Sequence, residues 1–158
     1  MQATVKAALL ALSLALGAPA LACSYPANLA EIQADVLQRL NAERADAGLS
    51  DLRHSGKLTT AALGHACDNA DRRSTSHISS NGGSLKSRLR AVGYGFRVAA
   101  ENTGRGFGSA ARVVEWWMAS SGHRKNILLS RAREVGIGIA LSPAPDSKLH
   151  WVLVLGGK

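Results

Sequence analysis

The sequence predicts an α+β domain in which helices are layered on a small, mainly antiparallel sheet. Apolar side chains recur at helical spacing in four segments, and the last part of the chain changes to the pattern of strands. A loop with two prolines separates the last two strand segments, which is typical of a hairpin. At 158 residues, the chain has the size of one domain.

Turn and capping residues bound the four predicted helices. Asn28 is the predicted N-cap of the first helix, and Gly48 follows its end. Ser84 and Ser109 are predicted to cap the third and the fourth. The second is rich in alanine, and small side chains on one face predict close packing against another element. The four helices are predicted at residues 29–47, 57–72, 85–92 and 110–120.

Two strands are predicted near the end of the chain. Residues 135–141 alternate glycine with aliphatic side chains, and residues 150–156 form a near-continuous apolar run. Residues 94–108 are rich in glycine and are either irregular or contain one more strand. Gly136 and Gly138 leave one face of their strand bare, which either admits a closely packed helix or opens room for a ligand. The pattern favours packing.

The first 22 residues have the pattern of a secretory signal. Lys6 precedes an apolar run that is too short to span a bilayer, and small residues at 20 and 22 form a cleavage site. Cleavage after Ala22 leaves Cys23 as the first mature residue, and Ala20 is an alternative site. We therefore expect a secreted or periplasmic protein with no transmembrane segment after cleavage.

The chain has two cysteines, Cys23 and Cys67. In an exported protein two cysteines most simply pair with each other, and this disulfide would close a loop worth ~3–4 kcal/mol. Two alternatives stay open: lipidation of Cys23, as in bacterial lipoproteins, and a buried free Cys67.

The charge of the chain favours anionic partners. Its formal net charge is +8, and removal of Lys6 with the leader leaves 18 basic and 11 acidic residues. An exported protein of this charge meets anionic envelope components, lipid headgroups or acidic polymers. Because the sequence has no aromatic platform or recognition motif for bases, specific nucleic-acid binding is not expected. We expect a monomer.

Three residues in different segments are candidates for chemistry. His77 lies in a polar, turn-rich loop, Glu101 follows an apolar pair, and His123 comes soon after the fourth helix. Two imidazoles and a carboxylate suit zinc or another divalent cation, with water at the open position. The sequence does not require a cofactor, and it contains no HExxH, phosphate loop or nucleophile elbow.

The other three histidines have structural interpretations. His54 is predicted in a turn, and His65 is predicted to be a hydrogen-bonded packing residue on the small face of the second helix. His150 begins a strand and is predicted to be exposed.

The adjacent tryptophans of the fourth helix are predicted to have different environments. Trp116 and Trp117 diverge by about 100° on a helix, so one face cannot bury both. Neighbouring valines and a methionine place Trp117 on the core side, which leaves Trp116 at the rim of a cleft. Gly122 is predicted to let the chain turn before His123.

Several segments together resemble the secreted bacterial branch of the CAP superfamily, which includes cysteine-rich secretory, antigen 5 and pathogenesis-related proteins. They are "SHISSNGGSLKSRLRAVGY", "AAENTGRG", "VVEWWMASSGHRKNILLSRAREVGIGIA" and "HWVLVLG", in this order. The resemblance covers residues 37–157 and implies that residues 23–158 form one CAP domain. It implies an α–β–α sandwich and a shallow cleft in which many members place two histidines and two acids, sometimes with a divalent ion.

The resemblance assigns residues to that cleft. His77 matches the first family histidine, Glu101 matches the acid of the "G-E-N" step with Ala100 in place of glycine, and His123 matches the "G-H-R" box. Ser120 stands where eukaryotic members have the second acid. The expected function is a binding module for an envelope component, a lipid or a protein partner. The alternative is a metal-assisted hydrolase in which His77 and His123 hold the metal and Glu101 is a ligand or general base.

Overall fold

The computed structural model describes residues 23–158, and the predicted leader lies outside them. Helices and strands follow one another over this part of the chain. In chain order they are α1 (Leu29–Asp46), β1 (Arg53–His54), α2 (Gly56–Asp71), α3 (Leu85–Ala91), β2 (Val98–Arg105), α4 (Ala110–Ala119), α5 (Ser121–Ile127), β3 (Glu134–Leu141) and β4 (Leu149–Gly157).

The four strands form one sheet in the order β1-β3-β4-β2. The short β1 pairs in parallel with β3, and the other two pairings are antiparallel. The predicted α–β–α sandwich with a mainly antiparallel sheet is therefore confirmed. The extra strand left open for the glycine-rich segment is β2, which pairs with β4 along its full length.

Successive residues of β4 supply two different cores, because side chains alternate between the faces of a strand. Trp151 and Leu153 pack with α1 and α4, whereas Val152 and Val154 pack with α2 and α3. The backbone of α2 lies very close to the face of the sheet that it covers. A Cβ at Gly136 would lie 2.1 Å from the backbone carbon of Leu58. The glycines of β3 thus admit a helix and not a ligand, as the pattern favoured.

The end of α4 differs from the prediction. The helix is interrupted at Ser120, which has extended backbone angles, and Gly122 lies inside α5. His123 is therefore a helical residue and does not follow a glycine turn. Ser109 caps α4 as predicted, since its hydroxyl accepts a hydrogen bond from Arg112 N at 3.3 Å.

Two smaller predictions differ from the structure. Asn28 is the N-cap residue of α1 as predicted, but its side chain makes no capping hydrogen bond. His54 belongs to β1, because it pairs with Val135 of β3 and is not in a turn. The disulfide between Cys23 and Cys67 is confirmed, and it attaches the first described residue to α2.

A buried arginine joins α1 to the segment between α5 and β3. Arg44 is 0% exposed, and its guanidinium donates to the carbonyls of Ile127 at 2.8 Å and of Ala132 at 3.3 Å. These bonds fix the path of a connection that has little secondary structure of its own. None of the helices between residues 23 and 158 combines the length and hydrophobicity needed to cross a bilayer.

Trp117→Ala should destabilise the domain far more than Trp116→Ala. Trp117 is 0% exposed and donates from Nε1 to Thr103 O at 3.0 Å, whereas Trp116 is 43% exposed. We expect Trp117→Ala to lower the free energy of unfolding by about 3–5 kcal/mol, because it leaves a large cavity. Urea denaturation of both variants measures the difference, and equal losses would contradict this orientation of α4.

Candidate functional site

The buried carboxylate of Glu101 lies at the centre of the site. Its side chain is 3% exposed, and both oxygens are engaged. Oε1 accepts a hydrogen bond from His77 Nδ1 at 2.9 Å, and Oε2 accepts one from the Arg88 guanidinium at 2.6 Å. Burial of a charge is unfavourable without such partners, so His77 and Arg88 compensate the desolvation of Glu101.

Arg88 connects α3 and β2 to the loop that carries His77. Besides its bond to Glu101, it donates to the carbonyl of His77 at 3.2 Å and to that of Gly83 at 3.0 Å. It also donates to Ser79 Oγ at 3.0 Å. Arg88 was not among the site residues predicted from the sequence. Its position three residues after the partly buried Leu85 was the available signal.

His65 is a further member of this cluster. It is 1% exposed, and its Nε2 donates to Ser76 O at 2.8 Å, so the predicted packing role is confirmed. The same nitrogen lies 3.8 Å from Glu101 Oε1. Burial lowers the pKa of His65, because the charged imidazolium would lose its hydration. A neutral His65 therefore lies beside the charged pair of Glu101 and Arg88.

His77 has the opposite electrostatic environment. Its side chain is 56% exposed, and the hydrogen bond to the Glu101 carboxylate raises its pKa above the ordinary range. Burial and the positive charge of Arg88 oppose this shift. His77 and Glu101 therefore form a charge-assisted pair when the imidazole is protonated.

His123 reaches the same region from α5. Asn102 donates to His123 O at 3.1 Å, and Asn126 donates to Glu101 O at 3.2 Å, so two amides attach α5 to β2. Burial lowers the pKa of His123, and the charge of His77 lowers it further. Nδ1 of His123 is buried and has no hydrogen-bond partner within residues 23–158. His123 is therefore within range of the charge of His77, and of these two histidines only His77 bonds to Glu101.

A cleft of ≈ 340 Å³ opens beside β2, and of the three predicted site residues His123 lines it, whereas His77 and Glu101 do not. Its aromatic side consists of three rings in contact. The Trp116 ring lies 5.0 Å from that of Phe107 and 4.8 Å from that of His123, measured between centroids. Trp116 therefore lies at the edge of a cleft, as predicted. Thr75, Thr103 and Arg105 also line it.

The sequence model of the cysteine-rich secretory protein family, CAP, matches residues 37–155. This chain belongs to the CAP family. The CAP domain is 32% identical over 115 residues to the uncharacterised protein YkwD of Bacillus subtilis, covering 73% of this chain and 45% of that protein. It resembles an extracellular protein containing an SCP domain from Bacillus anthracis, with a TM-score of 0.73, 25% identity and coverage of 82% and 41%.

An outer surface protein of Borrelia burgdorferi has the same fold, with a TM-score of 0.71 at 19% identity and coverage of 78% of this chain and 90% of that one. This chain spans less than half the length of the two Bacillus proteins. The comparisons therefore establish the CAP domain of this chain. The two Bacillus proteins extend beyond the part that matches it.

His150 of the CAP domain is not exposed as predicted. It is 1% exposed, and its Nδ1 donates to Ser74 O at 2.9 Å. Thr103 Oγ1 donates to Thr75 O at 2.9 Å beside it. The reason for the difference is the loop after α2, which crosses the start of β4 and covers His150. Burial lowers the pKa of His150, which favours the neutral ring.

The donor set does not fit a zinc site that includes Glu101. The carboxylate already accepts hydrogen bonds from His77 and Arg88, and the guanidinium of Arg88 repels a cation. Within residues 23–158, no group of three or more histidines, cysteines or acids is arranged to hold a metal. Ser120, at the position of the second family acid, provides no carboxylate. Only the two imidazoles of His77 and His123 remain as metal donors.

Glu101→Gln should lower the pKa of His77, because it removes the charge that stabilises the imidazolium. A raised folded-state pKa contributes stability below the unfolded pKa of about 6.5, and this contribution is lost as the pH rises through the folded value. The loss of stability in Glu101→Gln should therefore be larger at about pH 5.5 than at about pH 8.

Titration of the His77 ring by NMR, together with urea denaturation at both pH values, measures this effect. Glu115→Gln is the matched control, since Glu115 is an exposed carboxylate of α4. An unchanged pKa of His77 in Glu101→Gln would contradict the assigned pair.

Proposed function

We propose that this CAP domain is an exported binding module that holds an envelope component, a lipid or a partner protein in the cleft beside β2. The observation that carries the proposal is the double engagement of Glu101, whose two oxygens accept hydrogen bonds from His77 and Arg88. With a side chain that is only 3% exposed, Glu101 leaves a substrate little access to its carboxylate, which a general base must provide. Glu101 instead organises the loop that bounds the cleft.

The aromatic side of the cleft supports a binding role. Trp116 is 43% exposed, although its neighbour in sequence is fully buried. An exposed tryptophan combines a large apolar ring with a solvated N–H group, and residues of this kind contribute most to binding at interfaces. Phe107 and His123 hold this ring in place, so little side-chain entropy is lost when a ligand covers it.

The proposed location and partners rest on the charge and the leader. The basic surface favours anionic components of a bacterial envelope over neutral ones. Export through the signal at residues 1–22 would bring the domain to such an envelope, and one structural relative is described as extracellular. We propose that the exported domain acts as a monomer.

Binding of an envelope ligand should protect Trp116 from a soluble quencher. Trp117 and Trp151 are 0% and 1% exposed, so acrylamide reports mainly on Trp116. Soluble cell-wall fragments and phosphatidylglycerol vesicles are the probes. We expect at least one to reduce quenching, and we expect Trp116→Ala to weaken its binding about tenfold, or ~1.4 kcal/mol.

Tyr25→Ala is the matched control for the binding measurements with these probes, because Tyr25 is also an aromatic residue at 43% exposure but does not line the cleft. The proposal fails if both variants bind as the wild type does. It also fails if quenching of Trp116 is the same with and without a saturating probe.

The second candidate is the metal-assisted hydrolase. One observation favours it: His123 has a lowered pKa and a buried Nδ1 without a partner, so a neutral imidazole is available near His77. Two imidazoles alone would hold zinc weakly, since stable zinc sites have three or four protein ligands.

We expect added zinc to raise the melting temperature of the wild type slightly, and not that of His77→Ala/His123→Ala. The effect should weaken as the pH falls and should begin to weaken above about pH 6.5, because the pKa of His77 is raised and a protonated imidazole cannot bind zinc. His54→Ala controls for an exposed histidine outside the cleft. We expect no hydrolysis of peptide or ester substrates. Zinc-dependent turnover that disappears in His123→Ala would replace the binding module with the enzyme.

A further inference from the structure

Four cationic side chains surround a pocket of ≈ 290 Å³ at the far end of β2 from the cleft. We call it the arginine pocket, and its cations are Arg97, Arg131, Arg133 and Lys158. In the pairing of β2 with β4, Val98 is opposite Gly157, and Arg105 at the cleft is opposite His150. Seven steps along a strand separate the two ends by about 23 Å.

Backbone hydrogen bonds place two of these arginines on either side of the end of β4. Arg97 N donates to Gly157 O at 2.8 Å, and Arg133 N donates to Gly156 O at 2.9 Å. Arg97 precedes β2 and Arg133 precedes β3, so the sheet itself fixes their spacing. The sheet therefore fixes the backbone of both residues, and Arg133 Nη1 also donates to Ala132 O at 2.8 Å.

A glycine allows the third arginine to approach the same place. A Cβ at Gly157 would lie 2.1 Å from Arg131 O and 3.0 Å from Val98 Cγ2. Any larger residue would push the segment of Arg131 away from the sheet. Arg44, buried beneath this segment, donates to Ala132 O and fixes the segment from the other side. The pocket is thus formed by the backbone of three segments.

The positive charge of the pocket is poorly neutralised by the protein. None of its lining residues is an aspartate or a glutamate, and none of the three arginines forms an ion pair with an acid of residues 23–158. Glu134 follows Arg133 in sequence; its Oε2 accepts a hydrogen bond from Tyr94 Oη at 2.6 Å and lies 3.7 Å from Lys158 Nζ. Glu134 therefore offsets at most the charge of the lysine.

We propose that the arginine pocket binds a phosphate group. The planar guanidinium presents paired donors that match the oxygens of a phosphate, and arginine keeps its charge at any physiological pH. A phosphate ester carries up to about two negative charges, which the three arginines can neutralise. The pocket volume is at the lower end of ligand sites, which suits a small anion better than an extended molecule.

This site uses none of the residues of the cleft, so it stands or fails independently of the proposed function. The phosphate group could belong to a lipid headgroup or to a soluble phosphate ester, since both present the same oxygens. The probes below separate these sources.

The primary test is NMR titration of the purified protein with inorganic phosphate, at constant ionic strength adjusted with chloride. Arg97→Gln/Arg131→Gln removes two charges from the pocket. Arg124→Gln/Lys125→Gln removes two charges from the exposed surface of α5 and is the matched control. We expect saturable shifts at the amides of Arg97, Gly156 and Gly157 in the wild type and the control. The pocket variant should bind about tenfold more weakly.

A second double substitution at the same two arginines keeps the test valid if the first variant is destabilised. If Arg97→Gln/Arg131→Gln melts at a lower temperature than the control, Arg97→Lys/Arg131→Lys replaces it, because lysine keeps the charge and loses the paired donors. We expect this variant to bind phosphate more weakly than the wild type. Equal affinity for phosphate in the wild type and in every pocket variant would overturn the proposal.

Two further probes identify the source of the phosphate. Binding of phosphatidylglycerol vesicles that inorganic phosphate reverses assigns a lipid headgroup, whereas binding of glycerol phosphate without vesicle binding assigns a soluble ester. Absence of saturable phosphate binding would overturn the proposal. Equal losses in the pocket and control variants would also overturn it, since they indicate diffuse attraction to surface charge, as for a polyanion such as nucleic acid.

Discussion

A carboxylate that is almost completely removed from water, that of Glu101, sets the requirement that the surrounding site must meet. Burial of this charge is tolerated because Arg88 and His77 bond to its two oxygens. Arg88 in turn bonds to the carbonyls of the loop that carries His77, so the charge is compensated by the same side chain that shapes the loop. The position of the loop that carries His77 therefore depends on one ionic cluster.

The residues of the central strands alternate between two hydrophobic cores, one on each face of the sheet. In β4, the odd-numbered residues from Trp151 face α1 and α4, while the even-numbered ones face α2. The partner strand β2 is fixed along its whole length by this doubly packed neighbour. As a result, β2 is rigid enough to hold Glu101 at its middle, the aromatic cleft at one end and the arginine pocket at the other.

The fold could be predicted from the sequence because its signals are local: apolar periodicity, capping serines and the glycines of β3. Glu101 and His77 were also found, since an acid after an apolar pair and a histidine in a polar loop are unusual in the chain itself. Arg88 and the burial of His150 were missed because their partners come from distant segments. Gly122 was misinterpreted because a glycine is also compatible with a helix, and the break lies at Ser120.

The buried guanidinium of Arg44 has a consequence for the order in which the chain becomes structured. Its bonds to the carbonyls of Ile127 and Ala132 span 83 and 88 residues of sequence. Contacts over such separations require a large loss of chain entropy before they form, so they belong to late, nonlocal steps of folding. The first helix and the connection before β3 are therefore expected to open and close as one cooperative unit, although they are far apart in the sequence.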